Sequence, residues 1–563
     1  MLDHLRVRLA HADALPLLTL LGLCSGLLSG GVIVLFRILI DTLQTGFLPG
    51  GNVENYEGLS VLWRFSLPAL GGLAIGLAFQ FAGGVQVGVV HVLERLAYFQ
   101  GHMPLRNMLY QFFGAALSIV CGHSVGREGP SVHLGAASGS LLGWSLQLPN
   151  NSVQTLLACG VAAAIAASFN TPIAGVIFAM EVILLEYTIA GFTPVILAAV
   201  SATVVSRAVF GAEPAFIVPQ LNMSSLWELP YILVIGLVIG SLAAAFIGLL
   251  ERITRYGARF PIWQRLTLAG ILTGLCGVFV PAIMGIGYDT VNQAMLGELG
   301  LGFLMLVVVV KVLATTVSLG LGLPGGLIGP TLYIGACAGG ALGLIAESLF
   351  PGQVGSPGFY AMLGMGAMMS ATLQAPLAAL MALLELTYNA NIILPGMLAV
   401  VLSDIMASHS YGRDSVFLTL LRARGLDYRN NPMAQALRRV GVASAMDTAV
   451  TQTPSRLERA AAEALLQAEP QHLLVMKDGK PVSLLLAADL VRWLASHAEA
   501  QAVDLLDIPA ARTDLRPIDY RDTLQAALDV MDESGVDALY VTRGRYGSIV
   551  GIITRETIES HYR

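Results

Sequence analysis

The chain is short of charge. Of its 563 residues only 12% are Asp, Glu, Lys or Arg, while 55% are apolar; soluble proteins carry about 25% charged residues. The scarcity is uneven. From Arg424 to the end there are 16 Lys/Arg and 19 Asp/Glu, so 35 of all 68 charges occupy the last 140 residues. Residues 1–423 therefore read as a membrane domain, 424–440 as a linker and 441–563 as a soluble domain.

Other absences narrow the function. No basic cluster is present to hold nucleic acid, and a net charge of −6 points to no partner. Cys24, Cys121, Cys159, Cys276 and Cys337 stand singly in apolar runs, which fits neither a disulfide framework nor metal-ligand spacing. Nothing has the spacing of a catalytic centre, so a non-enzymatic role is expected. The opening MLDHLRVRLAH precedes an apolar run without a convincing cleavage site, and a retained first helix is the expectation.

What the chain has is apolar length. Leu17 to Phe36, Tyr231 to Leu250 and Leu266 to Ile286 each match the roughly 20 residues that span a bilayer. Gly83 to Leu96, Glu128 to Leu146 and Leu327 to Ile345 are apolar but broken by Gly or Pro. Irregular backbone at membrane depth survives only where protein or a water-filled cavity satisfies it, which favours a transport protein. The segments Gln44 to Trp63 and Gly211 to Pro230 contain acids but no Lys or Arg, whereas Arg252, Arg255, Arg259 and Arg265 share one connection, and Arg6 and Arg8 precede the first helix. Positive residues favour the cytoplasmic side, so both termini are expected there.

An internal repeat organises the apolar part. Gly126, Pro130, Gly135, Gly139 and Gly143 recur at Gly326, Pro330, Gly335, Gly339 and Gly343, and Asn170-Thr171-Pro172 through Glu181 recurs as Gln374-Ala375-Pro376 through Glu385. Broken helices in matching halves predict a binding site at the interface between them. The matched Glu181 and Glu385 predict a shared structural role, such as bonding backbone N–H groups. Asn170 and Gln374 are expected to brace the breaks, His133 to be a packing histidine, and Lys311 to snorkel, pair or attract anions.

Only the first copy is charged. Gly126-Arg127-Glu128-Gly129-Pro130 places Arg127 and Glu128 beside glycines at a helix start, where free N–H groups are able to meet an anion. An ionisable residue in the membrane is by default a functional one. This predicts an anion pathway with Glu128 as its moving gate, and Arg127 positioning the loop and biasing the potential.

That stretch closely resembles the second signature of the CLC chloride channel and transporter family. Pro324-Gly325-Gly326-Leu327-Ile328-Gly329-Pro330 resembles its third, with Ile328 in place of Phe, and Asn170-Thr171-Pro172-Ile173-Ala174-Gly175 also fits. The tail resembles a pair of CBS modules: strand–helix–strand–strand–helix, twice, with helices expected at Arg456–Ala468 and Thr523–Glu533. The resemblance implies an all-α polytopic membrane domain with inverted repeats and broken helices, plus a cytoplasmic α/β CBS pair. It also implies a homodimer with one pore per subunit, embedded in a bacterial-type inner membrane.

Carried onto this chain, the resemblance assigns small anions to Val85, Gln86, Val87, Arg127, Gly129, Leu327, Ile328 and Phe417. Val85 and Phe417 stand where the family has a serine and a tyrosine hydroxyl, and Gly88 stands where its first signature has proline. Weaker anion affinity and looser selectivity are expected. Val182 replaces the acid that relays protons in family exchangers, which favours a voltage- or pH-gated chloride channel. A H+/Cl− exchanger, a fluoride-handling member and a transport-inactive nucleotide sensor are the alternatives. No cofactor beyond the anion is expected. Adenine nucleotide at the CBS pair rests on Asp489 and Thr554 alone, because Leu486 and Thr557 replace their usual partners; a structural or dimer-forming tail is the expectation.

Overall fold

The structure is a computed structural model that describes residues 9, 15–187, 189–214, 216, 221–426, 432–510, 513–544 and 547–560. It divides into two units, one from 18–145 and 154–428, the other from 1–17, 146–153 and 429–563. Among the described residues nine helices have the length and apolarity to cross a membrane.

The apolar unit is built from two inverted halves that meet at their broken helices. Helices Glu128–Ser145 and Ile328–Leu349 begin two residues after Gly126 and Gly326, and these two glycines form an antiparallel bridge. Small residues behind each start let backbones touch: a Cβ on Gly135 would overlap the Gly160 carbonyl, and one on Gly335 the Gly364 carbonyl. Such close approach lets dispersion replace the hydrophobic effect as the packing force in a membrane.

The second repeated block closes the interface. Helix Pro172–Phe178, continued by a wider turn over Ala179–Leu184, carries Glu181; helix Pro376–Thr387 carries Glu385. Glu181 accepts the N–H groups of Leu377 (3.3 Å) and Ala378 (2.8 Å), and Glu385 accepts those of Ile173 (3.1 Å) and Ala174 (2.8 Å). Each carboxylate thus caps the other half's helix start, where four N–H groups lack partners. The braces also appear: Asn170 donates to the Ala212 and Glu213 carbonyls, Gln374 to the Arg413 carbonyl.

One expected span is interrupted. The helix from Ile262 ends at Phe279 rather than continuing to Ile286. Pro281 removes a donor, and Gly285 and Gly287 take φ of 61° and 83°, so Val280–Gly287 runs as a loop with one 3-10 turn at Pro281–Ile283 into helix Tyr288–Leu296. Lys311, wholly buried in helix Leu301–Gly320, holds that loop by donating to the carbonyls of Ile283 (2.9 Å), Gly285 (3.0 Å) and Ile286 (3.2 Å).

The tail unit is two three-stranded modules in one sheet. The strands are β1 (Val450–Pro454), β2 (Arg456–Glu458), β3 (His472–Lys477), β4 (Lys480–Leu486), β5 (Ala502–Asp504), β6 (Thr513–Asp519), β7 (Ala538–Thr542) and β8 (Ile549–Thr554), and the sheet order is β1-β3-β4-β6-β7-β8. In each module the first pair is parallel and the second antiparallel. Helices Ala487–Ser496 and Leu524–Ser534 turn Leu490, Leu494, Leu528 and Met531 into the two cores. Arg456–Glu458, expected as helix, is strand because it pairs with β5; the helix there is Arg459–Leu466.

Candidate functional site

The Gly126–Gly326 crossing sits at the head of a cavity of about 500 Å³. Three loop-to-helix junctions supply its walls. Val85, Gln86 and Val87 precede helix Val89–Tyr98, Gly129 opens the Glu128 helix, and Leu327 and Ile328 open the helix to Leu349. Phe417, at the start of helix Val416–Ala423, is also in the wall. Seven of the eight positions expected at the anion therefore share one cavity.

Arg127 is not among them. Its Nη2 donates to the Ser168 carbonyl at 3.2 Å, and its guanidinium lies 5.5 Å from the Tyr288 ring and 6.0 Å from that of Phe169. Desolvated on aromatic faces, it holds the Gly126–Gly129 loop, and its charge acts on the site from a distance.

Glu128 is wholly buried. Its Oε1 accepts the Tyr288 hydroxyl at 2.9 Å. A Cβ on Gly126 would overlap Oε2, and one on Gly329 would stand 2.8 Å from Oε1. The carboxylate therefore lies in the space those glycines leave open, between two helix starts whose N–H groups and dipoles favour negative charge.

The cavity holds polar groups that the motifs do not announce. Arg265 and Arg424 line it, and Thr254 adds a hydroxyl. Arg265 Nε and Thr254 Oγ1 are buried without a hydrogen-bond partner among the described residues, while Arg424 reaches Gln86 Oε1 at 3.3 Å. In the sequence Arg265 appears only as an orienting charge. Thr254 and Arg424 are not assigned to the site there, and neither is Tyr288, hidden by the helix expected to run to Ile286.

The remaining candidates have internal partners. His133 Nε2 lies 2.8 Å from His91 Nδ1, and Arg95 Nε donates to His91 Nε2 at 3.1 Å, so His133 is packed in a polar pair. Lys311 is taken up by carbonyls. In the tail, Asp489 accepts Arg492 Nη2 at 2.7 Å, and Thr554 Oγ1 lies 2.9 Å from Thr557 Oγ1 and accepts the Thr557 N–H at 3.3 Å.

Comparison with known proteins agrees with this architecture. Residues 69–408 match the voltage gated chloride channel family model, and residues 506–562 match the CBS domain. A putative chloride channel protein, ClcB-like, of Ralstonia nicotianae is 34% identical over 417 residues, spanning 72% of this chain and 95% of that protein. The H(+)/Cl(-) exchange transporter ClcA of Vibrio cholerae is 32% identical over 325 residues, 56% of this chain and 69% of that one. Among solved structures, a slow cyanobacterial Cl-/H+ antiporter superposes with TM-score 0.65 at 22% identity, covering 72% of this chain and 97% of its own. A CLC-type fluoride/proton antiporter gives 0.58 at 25% identity, covering 72% and 98%. A eukaryotic CLC transporter gives 0.60 at 20% identity and covers 96% of this chain and 98% of its own. The chain, with its inverted broken-helix repeats and its C-terminal CBS pair, belongs to the CLC family of chloride transport proteins.

Proposed function

We propose that the chain exchanges chloride for protons, with Glu128 as the gate both ions use. The observation that carries this is the Glu128 carboxylate at the Gly126–Gly326 crossing, in the space between two helix starts. There a carboxylate and a small anion compete for the same partial positive charge. Deprotonated, Glu128 fills the space. Protonated, it gives up the attraction and withdraws, and an anion from the cavity takes its place. Oriented amides attract the ion without holding it as tightly as a buried cation would.

The naming of the Vibrio relatives as exchangers moves the balance from the channel expected from the sequence. Passive conduction is the second reading, and Val182 favours it: it is apolar and buried, and the adjacent Glu181 is occupied with backbone N–H groups. Purified protein in vesicles under a chloride gradient separates the two. Exchange predicts uphill proton movement that Glu128→Gln abolishes; chloride flux with no proton movement supports conduction and removes the exchange reading. Competing fluoride in the same vesicles tests the fluoride alternative, which the 25% identical antiporter keeps in view.

The arginine-rich connections support an orientation with both termini in the cytoplasm of a bacterial cell and the connection between Gln44 and Trp63, which carries Glu54, outside. A homodimer follows the family pattern. The tail acts in assembly rather than nucleotide sensing, in keeping with the internal partners of Asp489 and Thr554.

A further inference from the structure

Glu128 is also held from elements that take no part in the cavity. Tyr288 is the first residue of its helix. Its hydroxyl donates to Glu128 Oε1 at 2.9 Å, and its backbone N–H donates to Glu54 Oε2 at 3.2 Å. The ring is confined by Phe216, edge-on at 5.2 Å, and by the Arg127 guanidinium. The preceding loop is pinned by Lys311 through three carbonyls. The hydroxyl therefore moves only with its backbone, and Glu54 holds that backbone.

We propose that Tyr288 is the latch of the Glu128 gate, and that Glu54 sets it by anchoring the Tyr288 backbone from the outer loop. This rests on the reading of Glu128 as gate. The hydroxyl stabilises the carboxylate in the closed position, since hydrogen bonds to charged acceptors are the stronger kind. A carboxylate at Glu54 likewise holds the Tyr288 N–H more firmly than a carboxylic acid does. Protonating Glu54 then loosens Tyr288 and favours withdrawal of Glu128.

The charges around Glu54 place this change in a useful range. Burial first, and the neighbouring Asp289 carboxylate second, push the Glu54 carboxyl up to about 7; Arg127 from the gate loop, the Tyr288 N–H and Lys311 from helix Leu301–Gly320 pull the other way. Tyr56 lies near it in the same loop. Glu54 is thus mostly protonated below that value and charged above it, so the latch is tight on the alkaline side.

The test is chloride flux by the full chain in vesicles, with pH varied separately on each face. Tyr288→Phe keeps the ring and removes the hydroxyl. It is expected to raise flux at alkaline pH by about tenfold to a hundredfold, the range that losing a hydrogen bond to a charged group corresponds to. Glu54→Gln is expected to remove the step near pH 7 sensed from one face, and the double variant to add little to either single one, because coupled residues are non-additive. A Tyr288→Phe profile identical to wild type, or independent effects in the double variant, overturns the latch. Should Tyr288→Phe fail to fold, Glu54→Gln decides alone through the presence or absence of that step. Glu128→Gln identifies the cause of a failure. If it leaves the pH profile unchanged, gate and latch both fall; if it flattens the profile while Tyr288→Phe matches wild type, the latch alone falls.

Discussion

Gly126 and Gly326 bond to each other twice, N–H to carbonyl at 2.7 Å in each direction. The pair ties the two halves together where both broken helices begin, and the missing side chains leave the space that the Glu128 carboxylate enters. The same two glycines are constrained by different neighbours. A Cβ on Gly126 meets mainly the movable end of Glu128, whereas one on Gly326 would stand 2.5 Å from the Gly129 backbone nitrogen.

Gly126→Ala should therefore fold and push Glu128 out of its space, giving flux that resembles Glu128→Ala with weakened pH dependence. Gly326→Ala should lower the yield of folded protein. Flux assays and size-exclusion profiles of the two variants check this, and equal behaviour would contradict the asymmetry.

Glu181 and Glu385 are expected to behave as equivalents. Gln at either position keeps one acceptor but loses the charge, and should lower thermal stability by a similar amount, about 1–3 kcal/mol for weakened bonds to a charged group. Proton coupling, measured in the same vesicles, should change little in both. A selective loss of coupling in Glu181→Gln alone would make Glu181 a relay.

Lys311→Met should be strongly destabilising. It strands the carbonyls of Ile283, Gly285 and Ile286, and a buried polar group left without a partner costs about 1–3 kcal/mol. Thermal melting in detergent checks the stability. The variant should also share the raised alkaline flux of Tyr288→Phe, because the loop that carries Tyr288 is released.

The cavity arginines should restore part of the anion affinity that Val85 and Phe417 forgo. Arg265→Gln and Arg424→Gln are each expected to raise the apparent chloride dissociation constant and to reduce the ionic-strength dependence of flux. Thr254→Val should weaken binding without altering the salt dependence. Titration calorimetry and flux at two ionic strengths check both.

How much was legible follows from what a motif encodes. The Gly126–Pro130 and Gly326–Pro330 repeat announces two matching helix starts, and the matched Glu181 and Glu385 announce a shared role; both patterns are local and periodic. Of the seven cavity residues, Gly129, Leu327 and Ile328 carry over because they lie in those starts, whereas Val85, Gln86, Val87 and Phe417 stand at the starts of two other helices and are reached only through the family resemblance. Arg127 does not carry over, since adjacency in sequence put it beside the ion while the helix start turns its side chain towards Ser168 and Tyr288. Tyr288 stayed hidden because Leu266 to Ile286 is apolar enough to pass for one span. A signal existed: Gly287 stands before its helix as Gly88 stands before Val89, both at positive φ, but the mate of Tyr288 is Val89 and bears no hydroxyl. Arg265 and Thr254 enter the cavity through tertiary packing, which no spacing records.

The space framed by Gly126, Gly326 and Gly329 admits one guest. On the proposed reading, a carboxylate and an anion are rivals there, so protonation of Glu128 and arrival of an anion favour each other, and linkage makes the two effects equal in size. Coupling of the two ions then needs no moving domain and no long relay. It is a matter of occupancy at a single vacancy that three glycines and their missing side chains keep open.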